Sequence, residues 1–162
     1  MQETTIRVRY QETDQMGVVY YGNYYTWFEV GRNEFLRSLG VTCKELENKN
    51  VLLPVIESGC KYLGSAKYDD EILIKTKLTE LKGVRLKLQY EIYRKEDSAL
   101  LATGFTKHAF VDKELKPINF RSRFKEVWRM LEECIEKSIS DNGILDYNRA
   151  DNCNGDCWIL FS

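Results

Sequence analysis

Two runs of alternating apolar and polar residues and a third strand-like run, one directly after another, leave this chain few folds to choose from. Ile72, Ile74, Thr76 and Leu78 alternate with Leu73, Lys75 and Lys77. Past Lys82-Gly83, Val84, Leu86, Leu88, Tyr90 and Ile92 alternate with Arg85, Lys87, Gln89, Glu91 and Tyr93. The turn formers Lys95-Glu96-Asp97-Ser98 lead into the third run, Ala99 to Val111. A period of two sends successive side chains to opposite faces, so the first two runs are strands with one face buried, and the third reads as the last strand. Connections this short join antiparallel neighbours, and the shared apolar face needs a cover.

That cover lies upstream. Tyr24, Trp27, Phe28, Gly31, Phe35 and Leu39 fall at i, i+3, i+4, i+7, i+11 and i+15, one face of a helix, with Gly40 as its stop. Asn23 is placed to cap the helix start. Two further strand patterns flank the helix. Thr5 to Tyr10 sets Ile6, Val8 and Tyr10 on one side and Arg7 and Arg9 on the other; Val51 to Ser58 carries Pro54, which favours an edge or a bulge. Lys44 to Asn48 reads as a helical turn, and Gly59 to Asp70 as irregular or bulged. The order β-α-β-β-β-β predicts an α+β fold, a five-stranded antiparallel sheet wrapped around a central helix.

A second amphipathic helix is expected over Phe120 to Ile139, with Phe120, Phe124, Val127, Trp128, Leu131, Cys134, Ile135 and Ile139 on one face. It reads as packing on the domain's own surface, an oligomer contact being the alternative. Residues 140–162 show no period and many turn formers. They read as a flexible tail behind a domain spanning 1–139.

Composition excludes several function classes. With 24 basic and 25 acidic residues the net charge is −1, unlike the basic stripe of a nucleic-acid-binding domain. No apolar run is long enough to span a membrane, and the N-terminus lacks the apolar core of a signal peptide, so a cytoplasmic protein is expected. The cysteines Cys43, Cys60, Cys134, Cys153 and Cys157 are odd in number and read as free thiols. Cys153 and Cys157 could supply half of a metal site, but the only histidine, His108, is distant in sequence, so no metal is expected. Neither a GxGxxG nor a P-loop is present, and no cofactor is implied.

The stretch before and into the helix is the most specific motif. The pattern Y-x-x-T-D-x-x-G-V-V-Y-Y-x-N-Y-x-x-W-F-E-x-x-R is carried by Tyr10, Thr13, Asp14, Gly17, Val18, Val19, Tyr20, Tyr21, Asn23, Tyr24, Trp27, Phe28, Glu29 and Arg32. It resembles the opening signature of the 4-hydroxybenzoyl-CoA thioesterase-like branch of the hotdog fold. Weaker matches follow in order, Ser65-Ala66-Lys67 and the G-x-T-x-H of Gly104 to His108 among them. The resemblance thus covers roughly residues 4 to 135.

It implies an acyl-CoA thioesterase working as a homo-oligomer, dimer or tetramer, with sites between subunits. Asp14 would be the catalytic carboxylate, and the backbone amide of Tyr21, beside Gly22, the oxyanion donor. On residues alone Asp14 has two readings: an ordinary turn aspartate capping local N–H groups, or a carboxylate nine residues ahead of Asn23 that folds back onto a helix start. Some relatives carry a histidine where this chain has Tyr21-Gly22, so a histidine-assisted mechanism is not expected. Tyr20, Asn23 and Tyr24 are candidate substrate-binding residues, and Lys61 and Lys67 candidate partners for coenzyme A phosphates. Glu29 and Arg32 are spaced for a helical ion pair, or for anchoring the helix or lining the pocket, and His108 reads as a structural strand histidine. The rival readings are an acyl carrier protein in place of coenzyme A, and a non-catalytic acyl-thioester-binding scaffold.

Overall fold

The structure, a computed structural model, describes residues 1–141, with side-chain surroundings through residue 136. Five strands form one antiparallel sheet in the order β1 (Gln2–Arg7), β3 (Glu71–Lys82), β4 (Arg85–Arg94), β5 (Leu100–Ala109), β2 (Val55–Tyr62). The three runs are the three central strands. Ile72, Ile74, Thr76 and Leu78 of β3 and Leu86, Leu88, Tyr90 and Ile92 of β4 are buried, while the residues between them face outward.

Helix α1 (Asn23–Ser38) lies on the buried face and sinks Tyr24, Trp27, Phe28, Gly31, Phe35 and Leu36. It is the central helix of a hotdog arrangement. Its approach to the sheet is close. A Cβ at Gly31 would fall 2.5 Å from Thr76 Oγ1 and 2.9 Å from Ile74 Cγ2, so glycine lets the helix rest directly on β3. One turn earlier Phe28 stacks on Tyr90, with ring centroids 4.5 Å apart.

The N-terminal strand lies upstream of its alternation, at Gln2–Arg7 in place of Thr5 to Tyr10. Val8 still exchanges hydrogen bonds with Asp70 (3.0 Å) and Asp69 (3.1 Å), but Tyr10 enters a 3-10 turn, Tyr10–Glu12. The Tyr10 carbonyl accepts from both the N–H and the hydroxyl of Thr13. Tyr10 is therefore 77% exposed and does not share a face with buried Val8.

The second strand is displaced downstream. Val51 is buried and Leu52 bridges only to Val111; the ladder with β5 starts after Pro54, which has no N–H to give, and runs to Tyr62 opposite Ala102. Gly59 is a regular ladder residue, not an irregularity, because the Phe105 ring occupies the space a Cβ would need. The bulge sits earlier, between Val55 and Glu57. Helix α2 (Cys43–Asn48) forms over the expected turn, capped by Thr42, whose hydroxyl accepts from the Glu45 N–H.

The C-terminal helix is broken into α3 (Phe120–Arg123) and α4 (Lys125–Asp141). Phe124, at φ −132°, leaves the helical path and keeps its ring stacked on Phe120, itself stacked on Phe110. Phe120, Trp128 and Leu131 are buried, so this segment packs on the chain's own core, with α4 against β3. The side chain of Ile139, residues 142–162 and the pair Cys153 and Cys157 lie outside the described residues. Among the described residues, no helix is long and apolar enough to cross a membrane.

Candidate active site

The segment from Arg9 to Gly22 forms a strap that lies across the start of α1. Thr13 and Val19 pair as an isolated antiparallel bridge, closing a tight loop that carries Asp14. Inside it the Asp14 N–H donates to the Val18 carbonyl (2.9 Å), and the Gly17 N–H donates to the Asp14 carbonyl (3.0 Å). Gly17 sits at φ +74°, which an L side chain adopts only with strain. The Asp14 carboxylate accepts the Met16 N–H on Oδ1 at 2.8 Å. One oxygen thus orients the side chain, and among the described residues Oδ2 has no hydrogen-bond partner.

The helix start faces the same strap. Gly22, not Asn23, occupies the cap position, in helical geometry and with no side chain to offer. Asn23 is instead the first helical residue; its amide reaches back to donate to the Glu12 carbonyl at 2.7 Å. The Asn23 N–H donates to the Tyr20 carbonyl, and the Tyr24 N–H to that of Tyr21. Among the described residues, the N–H groups of Tyr21 and Gly22 have no acceptor. They are orphan donors at the positive end of the helix dipole, the arrangement that stabilises an anion.

Aromatic rings frame these amides. Tyr20 and Tyr21 lie tilted against each other, 4.4 Å between centroids, and both are exposed. Tyr24 is buried between Trp27 and the ring of Tyr62, and this burial pushes its hydroxyl up from the ordinary value. Tyr62, at the end of β2, donates its hydroxyl to the Tyr21 carbonyl at 3.2 Å. In a trans peptide the Gly22 N–H points the opposite way, so this bond helps aim the donor.

The lysines separate. Lys67 follows Ala66, whose carbonyl accepts the Val19 N–H at 2.8 Å, so it sits beside the strap, exposed. Lys61 is also exposed, but it lies between Cys60 and Tyr62 and so points to the opposite face of β2 from Tyr62. Arg32 does not pair with Glu29. It turns inward, Nη1 lying 3.5 Å from His108 Nδ1, while Glu29 stays in solvent. His108 is fully buried, and burial first, helped by the Arg32 charge, lowers its pKa to about 4. It bonds Leu53 O and Thr106 Oγ1 as a neutral strand residue.

The thioesterase-like superfamily matches residues 8–133, a span that begins just before the strap and ends in α4. The chain belongs to this superfamily. It is an enzyme that hydrolyses thioester bonds. It is 37% identical over 133 residues to the candidate acyl-CoA thioesterase YneP of Bacillus subtilis, covering 82% of this chain and 95% of that protein. It is 32% identical over 128 residues to the acyl-CoA thioesterase YbgC of Haemophilus influenzae, covering 78% and 93%. Among solved structures, the DHNA-CoA thioesterase of Staphylococcus aureus superposes with a TM-score of 0.79 at 31% identity, covering 88% of this chain and 95% of the other.

In this thioesterase two residues at the site escape sequence reasoning. Glu12 reads as one more polar turn residue, yet it is only 4% exposed. Tyr62 lies within the stretch that looks irregular, Gly59 to Asp70, and its reach to Tyr21 depends on the true register of β2. The single available signal is the spacing of Arg9 and Glu12, i to i+3, which allows a carboxylate to return to the Arg9 N–H.

Proposed function

We propose that this thioesterase hydrolyses acyl-CoA, releasing a free acid and coenzyme A, with Asp14 as the working carboxylate. The carrying observation is the pair of unpaired N–H groups, Tyr21 and Gly22, at the start of the helix across which the Asp14 loop is strapped. Asp14 takes a proton from water as the water oxygen attacks the thioester carbon, or attacks that carbon itself. The carbonyl oxygen becomes negative and accepts the Tyr21 and Gly22 N–H groups. One such donor is worth about 100- to 1000-fold in rate. When Asp14 acts as base, the C–S bond then breaks and the thiolate leaves with the proton returned from Asp14. When Asp14 attacks the carbon itself, the C–S bond breaks to leave an acyl–Asp14 anhydride. Water hydrolyses that anhydride to the free acid and Asp14, a proton from water going to the thiolate.

The remaining roles follow from position. Tyr20, Tyr21 and Tyr62 form an apolar, partly exposed mouth suited to an acyl group, with Asn23 and Tyr24 holding its floor. Lys67 beside the strap is the better placed partner for a coenzyme A phosphate; Lys61 would serve a site completed by a second copy. The β2 edge supports such pairing, since it ends the sheet and leaves Val55, Ile56, Tyr62 and Leu63 exposed.

Thiol release from short, long and aromatic acyl-CoAs tests the reading. Wild type is expected to turn over at least one, and Asp14→Asn to lose that rate by more than 100-fold with its fold intact. Undiminished turnover in Asp14→Asn removes Asp14 from its role.

A further inference from the structure

Glu12 is a buried acid that the mechanism above does not use. A carboxylate so enclosed is rarely kept without partners, and here every partner leads to the site. Oε2 accepts the Arg9 N–H at 2.7 Å, and Oε1 accepts the Arg9 guanidinium (3.3 Å) and the Trp27 indole N–H (3.1 Å). Burial alone would raise its pKa. The hydrogen bonds from Arg9 and Trp27, with the Arg9 charge, outweigh that and hold the carboxyl below the usual range. The main chain of the same residue is equally committed: its carbonyl accepts the Tyr20 N–H (2.9 Å) and the Asn23 amide (2.7 Å).

One residue thus joins the strap to α1 at two points, Trp27 by its side chain and Asn23 by its main chain, and it stands two residues before Asp14. We infer that Glu12 is a positioning residue, setting the height of the Asp14 loop over the first turn of α1 by clamping to the Trp27 indole. This rests on the role proposed for Asp14. A carboxylate displaced by about 1 Å from its productive geometry loses on the order of 100-fold in rate, without loss of the groups that bind substrate.

The test uses the full chain, the acyl-CoA panel and three variants: Glu12→Gln, Trp27→Phe and Asp14→Asn. Trp27→Phe keeps an aromatic ring but removes the indole donor together with part of the buried ring volume. It is therefore read beside Glu12→Gln, which leaves the indole in place, and remains informative if Glu12→Gln folds poorly. Circular dichroism verifies folding at the assay temperature. Both clamp variants are expected to lower kcat by about 10- to 100-fold with KM changed less than threefold. In the Asp14→Asn background, adding Trp27→Phe is expected to cost no further rate, because the clamp acts through Asp14. A folded Trp27→Phe with wild-type kcat, or rate losses that multiply in the double variant, overturns the inference. Turnover that survives Asp14→Asn alone instead defeats the proposed mechanism, which separates the two failures.

Discussion

Lowering the pH should destabilise this protein through one residue. His108 is buried in β5, its Nδ1 held by the Leu53 carbonyl at 3.0 Å, its Nε2 by the Thr106 hydroxyl at 2.8 Å, and the Arg32 guanidinium lies 3.5 Å from Nδ1. The Thr106 hydroxyl also meets the Tyr90 hydroxyl at 2.7 Å. With Nδ1–H donating to Leu53, Nε2 must accept from Thr106, whose oxygen accepts from Tyr90. This chain of bonds works only for a neutral ring. The folded pKa falls from 6.5 to about 4, chiefly by burial.

The unfolded chain therefore takes up a proton between those values and the folded chain does not. Stability is unaffected above pH 7 and is lost as pH falls from 6.5 toward 4. At about 1.4 kcal/mol per pH unit the loss reaches about 2 kcal/mol at pH 5 and about 3 kcal/mol at pH 4. Other carboxylates titrate in the same range, so the measurement is a difference. Urea unfolding, followed by tryptophan fluorescence at fixed protein concentration, is compared for wild type and His108→Gln at steps from pH 7.5 to 4.5. Glutamine can donate to Leu53 and accept from Thr106 but does not titrate. The gap between the two proteins should shift by about 2 kcal/mol in favour of the variant by pH 5. Parallel curves across that range would refute the assignment of a neutral, desolvated His108.

Two further outcomes are expected. Gly31→Val should cost about 1–3 kcal/mol by overpacking, because even its Cβ meets Thr76 and Ile74; an unchanged Tm would mean α1 is free to rise. Ile56→Lys, on the exposed β2 edge, should shift sedimentation toward monomer at micromolar concentration if that edge joins two copies, and leave a lone chain unchanged if it does not.

The sheet and α1 were legible because each rests on a period repeated many times. Five residues in step, as from Val84 to Ile92, outvote any local exception. Boundaries were not legible where one residue decides them. Tyr10 continues the alternation of Ile6 and Val8, but a Thr13 hydroxyl captures its carbonyl and turns the chain. Phe124 fits the helical stripe, yet ring stacking on Phe120 draws it off the helix. At the site, Asp14 and the Tyr21 amide stood out through the resemblance of their motif. Asn23 looked like a cap because its residue type prefers one, and only tertiary geometry gives its side chain the Glu12 carbonyl instead. For Glu12 only the i to i+3 spacing from Arg9 hints at a held carboxylate, and it does not reveal burial, since a charged residue in a turn is ordinarily solvated.

The contact of α1 with β3 at Gly31 has a consequence for how relatives of this enzyme can diverge. A helix seated without a spacer has a fixed elevation, and a larger residue beneath Gly31 lifts it off β3. The exposed rings ahead of the helix carry no such burden: Tyr20 and Tyr21 reach solvent and can be replaced while α1 keeps its seat, whereas Tyr62 is held by its bond to the Tyr21 carbonyl. On the function proposed above, new acyl preferences are expected through that rim, with the helix acting as a datum from which every variant is measured.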